Sequence, residues 1–252
     1  MNKLVTDRWL PTPTFLYRNY LYNKQVSNIP NSKYFLDIGP GNGLFLENLS
    51  LKGFSGEAVD ISKKAVETIE GSTNLSNRVT VCQCDFMKIS AEKKYDVIFC
   101  FEVLEHLRDD EAALRKIKKL MKPGGQFMFS IPAHMKLWTK IDEEKGHFRR
   151  YEKKEIQDKL DKLDLKIELI YTYGFPFCFF LRFLRNRIIS KVKNNKTSKL
   201  DRTKVSGLTK EYSFRYKGLI NNKHLLMPFF WIMDLFVETD WGLGYFVVAK
   251  KI

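Results

Sequence analysis

The stretch Phe35-Leu36-Asp37-Ile38-Gly39-Pro40-Gly41-Asn42-Gly43 decides the reading of this chain. An apolar run ends in an acid and passes into glycines on alternate positions, the pattern of a buried strand entering a tight turn. Glycine alone accepts both a positive φ and the loss of a Cβ, so backbone at this turn can come close to a ligand. Helical spacing resumes in Leu44-Phe45-Leu46-Glu47-Asn48-Leu49. The turn therefore joins a strand to a helix and forms a nucleotide-type pocket.

The spacing G-x-G-x-G differs from the G-x-G-x-x-G of dinucleotide turns. Asp37 differs too, because a carboxylate at the strand end suits a cation and repels a pyrophosphate; a sulfonium amino acid fits better. Outward from this turn, Ala58-Val59-Asp60-Ile61 ends a second strand in an acid. It stands about 20 residues past the glycines, where a carboxylate accepts hydrogen bonds from both ribose hydroxyls. A third strand, Val79 to Cys84, leads into Asp85-Phe86, an acid for the adenine amino group and a ring to cover the base. The fourth, Tyr95 to Phe101, runs into Glu102-Val103-Leu104-Glu105-His106-Leu107. Every strand stops at a polar residue, so polar groups gather along one sheet edge, where open α/β folds bind ligands.

The pieces LDIGPGNG, AVDIS, CDFM, FEVLEHL and LMKPGGQFMFSIP, in this order, resemble the class I S-adenosylmethionine-dependent methyltransferases over roughly residues 33–152. The resemblance implies S-adenosylmethionine as cofactor. It places Asp37, Gly39, Gly41 and Gly43 around the methionine part, Asp60 and Ile61 at the ribose, Asp85 and Phe86 at the adenine, and Phe101 and Glu102 on the outer side. Pro40 departs from the Cys, Ser or Ala of many members; it stiffens the turn and removes no glycine. The implied architecture is α/β, a doubly wound seven-stranded Rossmann-like sheet with an N-terminal helical cap (1–30) and a helical insertion (173–237) before the last strand. Residues 31–172 and 238–252 then form the cofactor-binding domain.

Composition agrees. With 252 residues, 44% of them hydrophobic, the chain can bury a core. Cys82, Cys84, Cys100 and Cys178 form no C-x-x-C pair and fall mainly in expected strands, which points to buried reduced thiols and a cytosolic setting. Met1 to Leu10 lacks the apolar core of a secretory leader. Leu169 to Leu181 is too short to span a bilayer, which takes about 20 apolar residues. Thr14 to Tyr22 reads as a short amphipathic helix, with Pro11 and Pro13 in a preceding turn. Asp109-Asp110-Glu111 opens a helix with the apolar stripe Leu114, Ile117, Leu120 and Met121, stopped by Gly124-Gly125, ahead of a fifth strand at Gln126 to Pro132.

Two clusters bear on the chemistry. Ala133 to Tyr151 is too long for a plain connector, and it holds Asp142 and Gly146-His147-Phe148-Arg149-Arg150-Tyr151. It resembles a loop in a mostly bacterial branch of the superfamily, whose members are associated with saccharides, lipids or secondary metabolites. Arg149 and Arg150 can clamp an anionic substrate while His147 takes a proton, or they can pair with acids such as Asp142 and pin the loop shut. Were the chain helical after the fourth strand, Glu102, Glu105 and His106 would share one face, and with His147 they could hold a divalent cation. The same E-x-x-E-H occurs in ubiquinone-pathway O-methyltransferases and in enzymes that methylate the ribose of small RNAs, where it binds a metal; in other relatives it only braces the loop. His147 or His106 is the candidate base.

The charge is uneven. Between Arg182 and Lys217 twelve cations face two acids, a net +10 of the chain's +14. The aromatic run Phe175 to Leu184 precedes them. A lid over a lipid-linked or other small-molecule acceptor, peripheral contact with an anionic (inner) membrane, and a nucleic-acid footprint are the open readings. The last is weaker because the apolar component exceeds what base stacking needs. The expected activity is methyl transfer to O or N of a small-molecule, saccharide or lipid-linked acceptor. Metal-assisted RNA ribose methylation, or cofactor binding without transfer, are the alternatives.

Overall fold

A computed structural model describes residues 12–71, 75–182 and 223–252. Most of the basic segment and the first part of the expected N-terminal cap lie outside the described residues. Seven strands form one sheet in the order β3-β2-β1-β4-β5-β7-β6. They are β1 (Tyr34–Ile38), β2 (Ser55–Asp60), β3 (Val79–Gln83), β4 (Tyr95–Phe101), β5 (Met121–Pro132), β6 (Leu165–Tyr173) and β7 (Gly244–Lys251). All pairs are parallel except β7, which runs antiparallel between β5 and β6. The order reverses between β1 and β4, and this switch point opens a crevice at the carboxyl edge.

Alternation along β1 makes the two cores. Phe35 faces a cluster with α1 (Pro13–Val26), α2 (Leu44–Leu51) and α7 (Lys223–Asp234), while Leu36 and Ile38 face one with α4 (Asp110–Leu120) and α6 (Lys153–Asp161). Period two sends neighbouring side chains to opposite faces, and each fully buried Leu or Phe contributes about 1.5–3 kcal/mol. The remaining helices are α3 (Lys63–Glu70) and α5 (Lys140–Lys145).

Local signals set the boundaries. Thr12 caps α1 by accepting from the Phe15 amide at 3.2 Å, so Pro13 is the first helical residue and not part of a preceding turn. Asp109 caps α4 at the Ala112 amide, with Asp110 and Glu111 in its first turn and Lys118 and Lys119 in its last, matching the helix dipole. α4 ends at Leu120, before Gly124-Gly125, because Met121 already pairs with Tyr95 in the sheet. Between β6 and β7 residues 177–182 are helical, and α7 packs on α1. None of the described helices is long and apolar enough to cross a membrane.

The expectation of buried cysteines holds for Cys100 and Cys178 only. Cys82 is exposed and Cys84 partly so, because β3 is an edge strand and its side chains past Val79 are largely uncovered.

Candidate functional site

The site is built on the carboxyl ends of β1, β2, β3 and β4. Ladder bonds bring them level: the Gly39 amide donates to the Val59 carbonyl at 2.9 Å, and the Cys84 amide to the Asp60 carbonyl at 3.0 Å. Gly39, Gly41 and Gly43 all have positive φ, from 58° to 75°. A Cβ on Gly39 would lie 2.6 Å from Val103 Cγ2, and one on Gly43 would lie 2.7 Å from Ile69 Cγ1. The turn therefore needs glycine for conformation and for space.

Asp37 sits behind this turn, 2% exposed, and its Oδ2 has no hydrogen-bond partner. Burial and the neighbouring Asp60 push its pKa up to about 8. A buried acceptor without a donor is costly, and a cation placed against it would remove the cost. Asp60 accepts from the Ser62 amide at 2.8 Å and from the Gly41 amide at 3.3 Å; burial raises its pKa, and these two bonds oppose the rise. Asp85 is exposed and caps the Met87 amide at 3.0 Å, and Ile61 is 38% exposed beside it on the same edge. Phe86 is different: it is buried among Leu36, Ile38 and Val59 in the core, so it packs beneath the edge and does not cover a base.

Phe101 lies face to face with Tyr22 of α1, ring centroids 3.8 Å apart and planes 6° from parallel. Glu102 takes a left-handed φ of 57°, and its carboxylate pairs with Arg18 and accepts from Tyr173 at 2.7 Å and Ser130 at 2.9 Å. Burial opposes ionisation of Glu102, yet Arg18 and these hydroxyls outweigh it and hold its pKa below the ordinary value. Tyr22 completes the group with a 2.6 Å contact to Ser130 Oγ. Arg18, Tyr22, Ser130 and Tyr173 have no sequence signature, because three elements far apart in the chain, α1, β5 and β6, supply them. One expectation changes here: Leu104–His106 forms a single 3-10 turn in place of an α-helix. Glu102 braces α1 over the sheet edge through Arg18 and is not among the ligand atoms gathered by Glu105 and His106.

Those two residues meet His147 instead. Ligand atoms of Glu105, His106 and His147 all lie within 4.8 Å of one another. His106 Nε2 is 3.9 Å and His147 Nε2 4.0 Å from Glu105 Oε1. Glu105 is fully buried and neither carboxylate oxygen has a hydrogen-bond partner. Burial and then the charge of Glu102 raise its pKa well above the carboxylate range. Burial lowers both imidazoles, His106 to about 3, so each is neutral at pH 7. His147 Nδ1 lies 3.1 Å from Asp142 Oδ1, which leaves Nε2 aimed at Glu105. A carboxylate behind a ring nitrogen is the arrangement that orients metal-binding histidines, so this donor set fits a divalent cation.

The two arginines close the loop. Arg150 is 4% exposed and donates to Asp142 at 2.5 Å and the Ala133 carbonyl at 3.0 Å. Arg149 donates to Asp110 at 2.5 Å and the Arg108 carbonyl at 2.6 Å. Of the two readings of this pair, pinning the loop is the one built, with Arg150 Nε the one buried guanidinium nitrogen of the pair that has no hydrogen-bond partner among the described residues. Asp142, pulled down by His147 and Arg150 against the effect of burial, also accepts from the Thr139 amide at 2.8 Å. A cavity of about 120 Å³ lined by Asp96, Gly124 and Lys250 lies at the amino end of the strands, away from all of these groups.

Comparison with known proteins fits this geometry. A family model described as a methyltransferase domain matches residues 15–170. The chain belongs to the methyltransferase domain family. Its sheet is the fold of the class I S-adenosylmethionine-dependent members. Curated relatives include ubiquinone biosynthesis O-methyltransferases of Idiomarina loihiensis (31% identical over 110 residues, 42% of this chain and 45% of that one) and Proteus mirabilis (34% over 110 residues, again 42% and 45%). The matched stretch thus spans less than half the length of these relatives. Among solved structures, a Haemonchus contortus phosphoethanolamine N-methyltransferase 2 in complex with S-adenosylmethionine is 20% identical with a TM-score of 0.61, covering 93% of this chain and 52% of that one. That likeness is one of fold.

Proposed function

We propose that this protein is an S-adenosylmethionine-dependent methyltransferase acting on O or N of a small-molecule, saccharide or lipid-linked acceptor. One observation carries the reading: the buried Asp37 carboxyl, whose Oδ2 has no hydrogen-bond partner, beside a turn of three positive-φ glycines at the switch point of the sheet. A cationic amino acid on a nucleoside meets every feature of that edge, and a pyrophosphate would meet a negative charge. When bound, S-adenosylmethionine supplies an activated methyl group. The work left to the chain is positioning and exclusion of water. In this reading Asp37 and the glycines seat the methionine part, Asp60 the ribose hydroxyls and Asp85 the adenine amino group, with Ile61 against the nucleoside. The Tyr22–Phe101 stack and the Arg18–Glu102 pair hold α1, the described part of the proposed cap (1–30), on the proposed cofactor-binding domain (31–172 and 238–252). In this reading the 173–237 insertion is the segment that contacts the acceptor.

Hydroxyl acceptors are favoured by the second group. Neutral His147, oriented by Asp142, can accept a proton at Nε2 when no metal is held there. Glu105, His106 and His147 would hold a divalent cation, which there supplies Lewis acidity toward a hydroxyl. This is also the ground for keeping metal-assisted ribose methylation as the alternative acceptor chemistry. The loop with its Gly-His-x-Arg-Arg-Tyr run supports placement in the bacterial branch that modifies small molecules.

Calorimetry with S-adenosylmethionine and its demethylated product tests the seat. Absence of affinity for both overturns the whole reading. Binding of both, with no label transferred from methyl-labelled cofactor to phenol, sugar, amine or RNA acceptors, would instead leave a cofactor-binding protein. Turnover of H106A and H147A then tests the base: rates equal to wild type remove both imidazoles from the chemistry.

A further inference from the structure

α7 is apolar on both sides. Its inner side places Leu226, Phe230 and Met233 in the core, with Tyr17 and Phe230 rings 5.2 Å apart, and Tyr17 and Tyr20 fix its end by donating to Asp234 at 2.9 and 2.8 Å. Its outer side exposes Leu225, Phe229, Trp231 and Ile232, followed by Leu235, at 40–79% of their surface. Leu225, Phe229 and Ile232 recur at helical spacing, so they form one stripe and not scattered exposures. Ring contacts carry the surface past the helix: Phe229 stacks on Phe177 at 4.3 Å, and Phe236 packs against Phe175 at 5.1 Å, which in turn meets Trp241 at 5.5 Å. Single exposed apolar residues need no explanation, whereas a contiguous stripe marks a surface that is covered in use.

We propose that this outer side of α7, with Trp241, docks on the surface of a bilayer carrying anionic phospholipid. Charge selects the occupant. The sequence running from the helical residues 177–182 to α7 carries, from Arg182 to Lys217, twelve cations and two acids. Apolar and aromatic side chains joined in sequence to an excess of Lys and Arg match an interface of acyl chains beneath negative headgroups. A second copy of this chain would bring the same positive charge against its own. Nucleic acid offers base faces for aromatic rings to stack on but no apolar layer that would bury the aliphatic Leu225, Ile232 and Leu235. Trp231 and Trp241 are the residue type that settles at headgroup level. No described helix is long enough to cross, so the contact is made from one side.

The inference rests on this surface and not on the methyl-transfer reading. The full chain is mixed with vesicles of phosphatidylcholine, with or without phosphatidylglycerol, and floated through a density gradient, while tryptophan emission is recorded. The wild type is expected to float with the phosphatidylglycerol vesicles, to stay behind with phosphatidylcholine alone, to be released in part by high salt, and to shift its emission to the blue. W231D with L235D should cut the bound fraction roughly tenfold or more, as expected for losing two apolar anchors. Its melting midpoint and S-adenosylmethionine affinity should match wild type, since neither side chain is buried. Wild-type protein that fails to float with anionic vesicles overturns the proposal. So does a double variant that floats as well as wild type, or one whose only defect is in self-association or RNA retention. Calorimetry of the cofactor on the same samples separates these failures from a failure of the catalytic reading.

Discussion

Affinity for S-adenosylmethionine should rise with pH through the titration of Asp37. Its pKa of about 8 comes from burial first and then from Asp60, so below pH 8 the ligand-free protein keeps a proton there. A cation seated against the carboxyl requires it ionised, and binding expels the proton. Affinity is therefore full above the free protein's pKa and lost as pH falls through it. Between pH 9 and pH 6 the ionised fraction drops from about nine-tenths to about one-hundredth, so Kd weakens roughly 90-fold, or about 2.7 kcal/mol. Stability carries the opposite sign. An acid whose folded pKa exceeds its ordinary 3.8 favours the folded state only while protonated. Ligand-free protein then loses stability as pH climbs from about 4 to about 8, by at most ~1.4 kcal/mol per pH unit. The assay is titration calorimetry from pH 6 to 9 in buffers of differing ionisation enthalpy, which counts the released proton. The ligand's own α-amino group titrates near about 7.7–8.0, so D37N, which keeps that contribution and lacks the carboxyl, isolates Asp37. A wild-type Kd that stays within about threefold across the range, where the population arithmetic demands far more, refutes the reasoning. So does a D37N variant with the same pH slope as wild type.

Other outcomes follow from the same geometry. G43A forces a side chain to φ 75° and into Ile69, costing about 1–2 kcal/mol in the backbone alone; its cofactor Kd should rise at least about tenfold, and an unchanged Kd would remove the turn from the seat. E102Q leaves Arg18, whose Nε already lacks a partner, without its counter-ion, at a cost of about 2–4 kcal/mol after allowance for partial exposure; a melting midpoint equal to wild type would show that the cap is held otherwise. Chelator-treated protein titrated with Mn²⁺ or Zn²⁺ should bind one equivalent, lost in E105Q and in H147A and weakened as pH falls, because Glu105 must give up its proton and the imidazoles must stay neutral. Wild-type protein that takes up no metal would leave Glu105 a protonated core residue.

The sequence by itself determined the sheet and its active edge. Apolar runs that each end in a polar residue, at Asp37, Asp60, Asp85 and Glu102, require parallel strands whose carboxyl ends align, and the glycines at 39, 41 and 43 fix where backbone turns back on itself. These are local properties, carried by alternation and by the φ that one residue type tolerates. Tertiary structure alone decided what the charged side chains do. Glu102 was legible as an edge acid, but its left-handed φ and the approach of Arg18, Ser130 and Tyr173 from other elements make it a brace. Arg149 and Arg150 looked equally fit for a substrate or for the loop, and the choice fell to Asp110 and Asp142 being within reach. Phe86 carries the same letter whether it covers a base or fills a core. Long side chains choose partners by distance in space, and burial sets the strength of each choice, so neither can be read from spacing along the chain.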